Sequence, residues 1–182
     1  MTSYVDTTRF PGPDPYAPLG DLPAFPVRSS SFVEGEELAA RLQAPKNVSP
    51  HLAWDAADLP EGTRSIAITC LDPDAPTGSG YWHWAVFNIP VNVTEVAEGA
   101  ATEDGLDSVP EARALCNDSG QRAYYGPQPP AGHGPHRYLF AVHAVDTEEL
   151  DIPENATPTV LGFNLYFHSL ARTITWGWAE NK

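Results

Sequence analysis

The sequence predicts an all-β domain, and three observations carry that expectation. Beyond the first 26 residues, short apolar runs are separated by Pro, Gly, Asn and Asp, the texture of strands joined by turns. Three of those runs, TRSIAITCLD, WHWAVFNI and PHRYLFAVHAVD, are rich in β-branched and aromatic residues. Only one segment, close to the C-terminus, changes to helical spacing.

Taken in order, residues 1–26 are dense in proline and show little apolar periodicity. They read as an extended or partly disordered arm over the surface, with few side chains to fill a core and no part in folding. The domain proper is expected at residues 27–182. Within PHRYLFAVHAVD, Tyr138, Phe140, Val142 and Ala144 share one face, and Leu139, Ala141, His143 and Val145 share the other. Both faces are largely apolar, which places this strand inside a sheet. Thr157 is positioned to cap a helix that Pro158 opens, and the helix is expected through VLGFNLYFHSLAR, with Val160, Phe163, Phe167 and Leu170 at helical spacing. ITWGW then alternates, with Ile174, Trp176 and Trp178 on one face of a closing strand.

Composition narrows the function classes. The chain has 182 residues, enough for one domain with a core of its own. Its 24 acidic against 10 basic residues give a formal net charge of -14. Such a field repels phosphate backbones and anionic membrane surfaces, so nucleic acid is excluded as an expected partner. No Lys or Arg lies between Arg64 and Arg113, so an anion bound by that stretch must rely on neutral donors. Two cysteines, Cys70 and Cys116, are too few for a disulfide framework; both are expected to be free in a reducing, cytoplasmic setting. Neither a signal peptide nor a membrane-spanning segment is expected.

Two segments concentrate polar groups beside rigid turns. In LDPDAPTGSGYWHW, Asp72 and Asp74 alternate with Pro73 and Pro76 directly after a strand, and His83 follows a Gly-rich turn. In YYGPQPPAGHGPHRY, Gly126, Gly132, Gly134 and four prolines form a stiff loop that delivers His133, His136 and Tyr138. A carboxylate, several imidazoles, a phenol and backbone donors suit a phosphate-sized anion. Each piece alone has a structural explanation: DPDAP as a turn, His83 as a half-buried strand residue, Tyr138 as core. Their combination favours a site. His51, His143 and His168 lack such context and are read as structural.

DPDAP, followed by WHW and FNIP, together with GPQPPAGHGPHRY, resembles the two signature regions of the phosphatidylethanolamine-binding family, which includes Raf kinase inhibitor-like proteins. NVSPHLAW and LGFNLYFHSLA are similar to its bacterial branch, and the resemblance runs from about Val27 to Trp178. The resemblance implies an antiparallel Greek-key β-sandwich with a few peripheral helices and one small cavity at the sheet edge. In that family the cavity takes phosphate, acetate or the head group of phosphatidylethanolamine. Carried over, its ligand-binding residues here are Asp72, Pro76, His83, Pro130, His136 and Tyr138, with backbone donors near Gly126. The resemblance makes Pro76 a cis-proline wall of the site. It implies no metal and no cofactor, a kinase or protease partner by analogy, and a homodimer. Gln128 and Trp82 depart from the family pattern at the mouth.

The expected function is therefore anion binding with a regulatory role, not catalysis. His83 and His136 would donate to the anion while Asp72 orients an imidazole, and sulfate affinity would rise as pH falls through about 6.5. Competing readings are a metal-dependent enzyme using Asp72, His83, His133 and His136, a hydrolase with Cys70 or Ser79 as nucleophile, and a surface-acting inhibitor with a vestigial pocket.

Overall fold

The three runs richest in β-branched and aromatic residues become neighbours in one sheet. The computed structural model describes residues 4–6, 8–10 and 12–182; the parts of the arm at residues 1–3, Thr7 and Pro11 lie outside the described residues. In chain order the strands are β1 (Val27–Arg28), β2 (Leu52–Trp54), β3 (Ser65–Asp72), β4 (Tyr81–Pro90), β5 (Glu95–Val96), β6 (Ala101–Thr102), β7 (Gly105–Leu106), β8 (Arg113–Ala114), β9 (His136–Val145) and β10 (Ser169–Ala179). Helix α1 (Pro158–His168) precedes β10. The main sheet has the order β10-β9-β3-β4-β8, a second has β1-β2-β5, and β6-β7 form a ribbon. Every pairing between these strands is antiparallel. The all-β expectation holds.

The period-2 alternation decides what each face packs against. Ile66, Ile68 and Cys70 of β3, Trp84 and Val86 of β4, and Tyr138, Phe140, Val142 and Ala144 of β9 meet Leu52, Trp54 and Val96 of the smaller sheet in one core. This is the face split expected for β9, and it makes a two-layer sandwich. Burying each such side chain contributes roughly 1.5–3 kcal/mol. The other face of the main sheet is covered in two places. Ala67, Phe87 and Val145 receive Leu161 and Leu165 of α1. Leu139, Ala141 and Trp176 receive Phe10 and Tyr16 from the N-terminal segment.

That second cover corrects the reading of residues 1–26. Phe10, Tyr16 and Phe25 are buried, and the Phe10 ring stands edge-on to Trp176 at 5.6 Å. The Gly12 N–H donates to Asp74 Oδ1 at 2.7 Å. A side chain at Gly12 would collide with the Pro73 carbonyl oxygen, 2.2 Å from an ideal Cβ position. Proline density signals an irregular backbone, and here that backbone is held by three aromatic anchors.

The C-terminal helix also differs from expectation. Thr157 is extended ahead of Pro158, but its side chain makes no capping hydrogen bond. The helix ends at His168, and Ser169, in extended geometry, begins β10. Residues 169–172 prefer to pair with Val145, Ala144 and His143 of β9, so Leu170 lies outside the helix. Docking on β4 and β9 selects Leu161 and Leu165 as the buried stripe. The expected apolar face points outward instead, with Phe163 and Phe167 67% and 63% exposed. In so apolar a helix, sequence spacing does not distinguish the two faces.

Candidate functional site

Three strand ends converge at one edge of the main sheet: the end of β3 at Asp72, the start of β4 at Tyr81, and the start of β9 at His136. Asp72 pairs with Tyr81, and Leu71 pairs with Leu139. Between β3 and β4 the register shifts, because Cys70 opposes Trp84 while Leu71 opposes Trp82. His83 is therefore the extra residue of a β-bulge, the feature that commonly re-aims a side chain beside a site. Its freed backbone carbonyl accepts from Tyr125 N at 3.0 Å and from Asn117 Nδ2 at 3.1 Å.

These elements enclose a cavity of about 300 Å³ lined by Asp72, Ala75, Pro76, Thr77, Tyr81, His83, Tyr125, Gln128, Pro129, Pro130, His136 and Tyr138. Six of the seven expected residues meet there: Asp72, Pro76, His83, Pro130, His136 and Tyr138. Gly126 does not line the cavity. Its N–H donates to Asn47 Oδ1 at 2.9 Å, and a Cβ there would lie 2.5 Å from the Leu42 carbonyl oxygen. Gly126 thus serves close backbone packing. The expected cis bond at Pro76 is also corrected, because the cis peptide among the described residues is Ala44–Pro45. The turn at 72–77 is closed by Asp74 N–H to Asp72 Oδ1 and Thr77 N–H to the Ala75 carbonyl, which shape it with a trans bond.

The hydrogen bonds fix which atoms face the cavity. His83 Nδ1 lies 2.7 Å from the Tyr125 carbonyl oxygen. A carbonyl only accepts, so Nδ1 carries the hydrogen and Nε2 is the free nitrogen. The ring sits among those of Tyr81, Tyr125 and Tyr138. Burial pushes its pKa below the ordinary value of 6.5, against the opposing pull of the Tyr125 hydrogen bond and of Asp72 and Asp118.

Asp72 orients the other imidazole. His136 Nδ1 is 2.8 Å from Asp72 Oδ2, and His136 Nε2 is 2.8 Å from His133 Nδ1. Both nitrogens of His136 are thereby occupied, one by Asp72 and the other by His133. His136 is fully buried while His133 is exposed. Among the described residues, no group of three or more His, Cys, Asp or Glu side chains is arranged to hold a metal ion.

Tyr138 completes the set. Its hydroxyl is buried and makes no hydrogen bond of ordinary geometry, though Asp72 lies close enough to act on it as an acceptor. Burial first, and then the Asp72 charge, raise its pKa far above the ordinary phenol range, so it stays a donor. Trp54, Trp84 and Tyr124 also carry buried polar atoms without hydrogen-bond partners, but none of them lines the cavity. A larger cleft of about 500 Å³, lined by residues that include Arg64, Asn88, Glu111 and Glu148, lies elsewhere. There Arg64 is 3.6 Å from Glu148, and Asn88 is satisfied by the Leu150 backbone. It holds no buried group in search of a ligand.

Reading the sequence missed Tyr81 and Tyr125. Tyr81 carried a signal, being placed directly opposite Asp72 by hairpin pairing. Tyr125 had none, since it enters through the loop that carries Gly126. Cys70 is buried in β3 with its thiol pKa raised by burial, and both Cys70 and Cys116 are free. His143 is buried with Nδ1 2.9 Å from Ser169 Oγ, and His168 pairs with Asp146, in keeping with structural roles.

This fold, with its Asp and His cavity at the sheet edge, is that of a family whose sequence model, described as phosphatidylethanolamine-binding protein, matches residues 28–178. The chain belongs to the phosphatidylethanolamine-binding protein family, and its relatives place it in the bacterial branch. It is 48% identical over 126 residues to the UPF0098 protein YbhB of Escherichia coli, covering 69% of this chain and 77% of the relative. Against YbcL of the same organism the identity is 39% over 154 residues, 81% of this chain and 83% of the relative. The crystal structure of YbcL superposes with a TM-score of 0.81, covering 87% of this chain and 99% of that one. The CT736 homologue from Chlamydia trachomatis gives a TM-score of 0.73 at 27% identity, again over 87% of this chain and 99% of the other. No helix among the described residues is long and apolar enough to cross a membrane.

Proposed function

We propose that this chain is a binding protein for a small phosphate-like anion, such as free phosphate or a phosphorylated head group, and that it acts by binding without catalysis. The observation that carries the reading is Tyr138, a cavity-lining residue beside Asp72 and His83 whose buried hydroxyl makes no hydrogen bond of ordinary geometry, Asp72 being the acceptor that acts on it. A buried donor left unsatisfied costs about 1–3 kcal/mol, which a ligand oxygen recovers. The cavity is also lean in nucleophiles. Thr77 is its one aliphatic hydroxyl, and that group donates to the Gly80 carbonyl at 2.5 Å.

A regulatory contact with a kinase or protease, a homodimer and a cytoplasmic setting belong to the same proposal by family analogy, which is a weaker warrant than the site. Titration calorimetry with inorganic phosphate tests the core of it. Wild type is expected to bind, and Tyr138→Phe, which removes one hydroxyl and keeps the ring, to bind roughly tenfold more weakly while the unliganded variant melts no lower than wild type. Equal affinity in the two proteins would remove Tyr138 from the site, and no binding by wild type would end the proposal.

A further inference from the structure

Helix α1 carries no Lys, Arg, Asp or Glu along its 11 residues, in a chain whose formal net charge is -14. Its inner stripe, Leu161 and Leu165, packs on the main sheet. Its outer stripe is apolar too, with Val160, Phe163, Tyr166 and Phe167 all 39–67% exposed. Among the described residues, the exposed aromatic side chains all lie on this helix. The rings brace one another edge-on, Phe163 against Phe167 at 5.2 Å and Tyr166 against Phe167 at 5.1 Å, so the surface is set before any partner arrives.

Beside the rings lies a notch. Gly162 stands inside the helix, one turn from Thr159 and Tyr166, and a Cβ there would have nothing within 4 Å. Glycine inside a helix lowers its stability, and nothing within the chain requires it at this position. Close approach of a second helix does require it, because the distance between packed helices depends on the side chains at the contact.

Resting on the homodimer reading above, we propose that this face is where two copies of the chain meet, each α1 packed antiparallel on its counterpart across a twofold axis. Knob and hole occupy one helix face, so the surface is self-complementary. The rings of each protomer seat against the partner's Gly162, and the reverse contact follows by symmetry. Three rings left 57–67% exposed present on the order of 350 Å² of aromatic surface. That is close to half of the roughly 800 Å² per partner of a stable interface, enough for its apolar centre, with polar residues flanking the helix as the rim. Two acidic chains that meet on an uncharged face avoid pairing like charges. Other occupants fit less well. An interfacial membrane helix carries Lys and Arg beside its apolar stripe, and α1 has neither. A basic partner would need acids among the rings, and α1 has none.

Sedimentation equilibrium of the whole chain at about 0.15 M salt tests this. Wild type should dimerise as its concentration rises. Phe163→Gln and Phe167→Gln should each weaken dimerisation at least about tenfold, as for aromatic anchors at the centre of an interface. Gly162→Gln is the sharper variant, because it fills the notch without adding charge. It should weaken dimerisation by a similar factor and yet, diluted to monomer, melt no lower than wild type, since glutamine favours the helix over glycine. A face with no partner would give the second effect without the first. Hydrogen exchange on wild type, independent of any variant, should show amides of residues 158–168 gaining protection through the dimerisation range. Wild type that stays monomeric overturns both this inference and the homodimer reading; if that monomer binds phosphatidylcholine vesicles, the face belongs to a lipid surface. A dimer that all three variants form within twofold of wild type, with no added protection of α1, leaves the homodimer standing and overturns this face. Weakening by the phenylalanine variants while Gly162→Gln dimerises normally overturns the helix-on-helix geometry.

Discussion

Asp74 and Arg137 form an ion pair with no exposed side-chain surface: Arg137 Nε and the backbone N–H both donate to Asp74 Oδ2 at 2.8 Å, and Nη2 reaches Oδ1 at 2.7 Å. The N-terminal arm closes over the pair. Arg137 also donates to the carbonyls of Tyr4 and Gly12. Asp72 and Asp74, two residues apart, therefore have separate duties, one in the cavity and the other under the arm.

Removing the acid is expected to be costly. Asp74→Ala leaves a buried guanidinium without its counter-charge and should destabilise the fold by about 3–5 kcal/mol. Denaturant titration of wild type, Asp74→Ala and Asp74→Asn measures it, and a loss of under about 1 kcal/mol for the alanine variant would contradict the burial argument.

The arm should be part of the cooperative unit. Phe10→Ala is expected to cost about 3–5 kcal/mol, as for other fully buried aromatics. Deleting residues 1–16 should lower the unfolding midpoint further, since Tyr16 and the strap over Arg137 go with them. A truncated chain that melts where the full chain melts would show the arm to be an appendage.

His143 makes stability fall in acid. Burial, with a smaller contribution from Arg172, lowers its pKa from 6.5 to about 3 in the folded chain. The unfolded chain takes up the proton first, so this contribution is fully present above pH 6.5 and is lost as pH falls towards 3. At about 1.4 kcal/mol per pK unit, the loss approaches about 5 kcal/mol at the acid end. A His143→Gln variant should show a shallower fall across that window; parallel curves would mean that other groups dominate.

Sulfate should report the state of His83. Because burial holds its pKa below 6.5, sulfate affinity should stay low and flat near neutral pH and rise only as the solution becomes acidic enough to protonate Nε2. His83→Ala should remove the rise. Persistence of the rise in that variant would assign it to His133 or His136.

Gly126→Ala separates packing from binding. Its Cβ would press on the backbone of residues 42–44, so stability should drop by about 1–3 kcal/mol. Phosphate affinity should change little, since the Gly126 N–H is held by Asn47. Weaker binding at full stability would return Gly126 to the ligand.

Much of this was legible in the chain. Alternation within β9 foretold which side chains meet the second sheet, because a strand's two faces follow from its backbone alone. Asp72, His83, His136 and Tyr138 were identifiable because rigid turns and strand ends deliver them together. What escaped depended on tertiary choice. Phe10 and Tyr16 sit in a segment with no period, and their burial is decided by an uncovered patch around Leu139 and Trp176. In α1, Leu161 and Phe163 are equally apolar, and only docking selects the inward one. The occupation of His136 Nε2 by His133 joins residues three apart in a glycine-rich loop whose path local spacing does not specify.

The bulge at His83 makes the site a matter of residue count as much as of residue type. Shortening β4 by one position to give an even ladder would leave Trp84 opposite Cys70 and keep the core behind it intact. It would also delete the one place on that edge from which an imidazole can enter the cavity while its backbone carbonyl is held by Asn117 and Tyr125. A regular strand offers no substitution that restores this arrangement, so transplanting the cavity onto another sheet requires carrying the extra residue and its two backbone supports together.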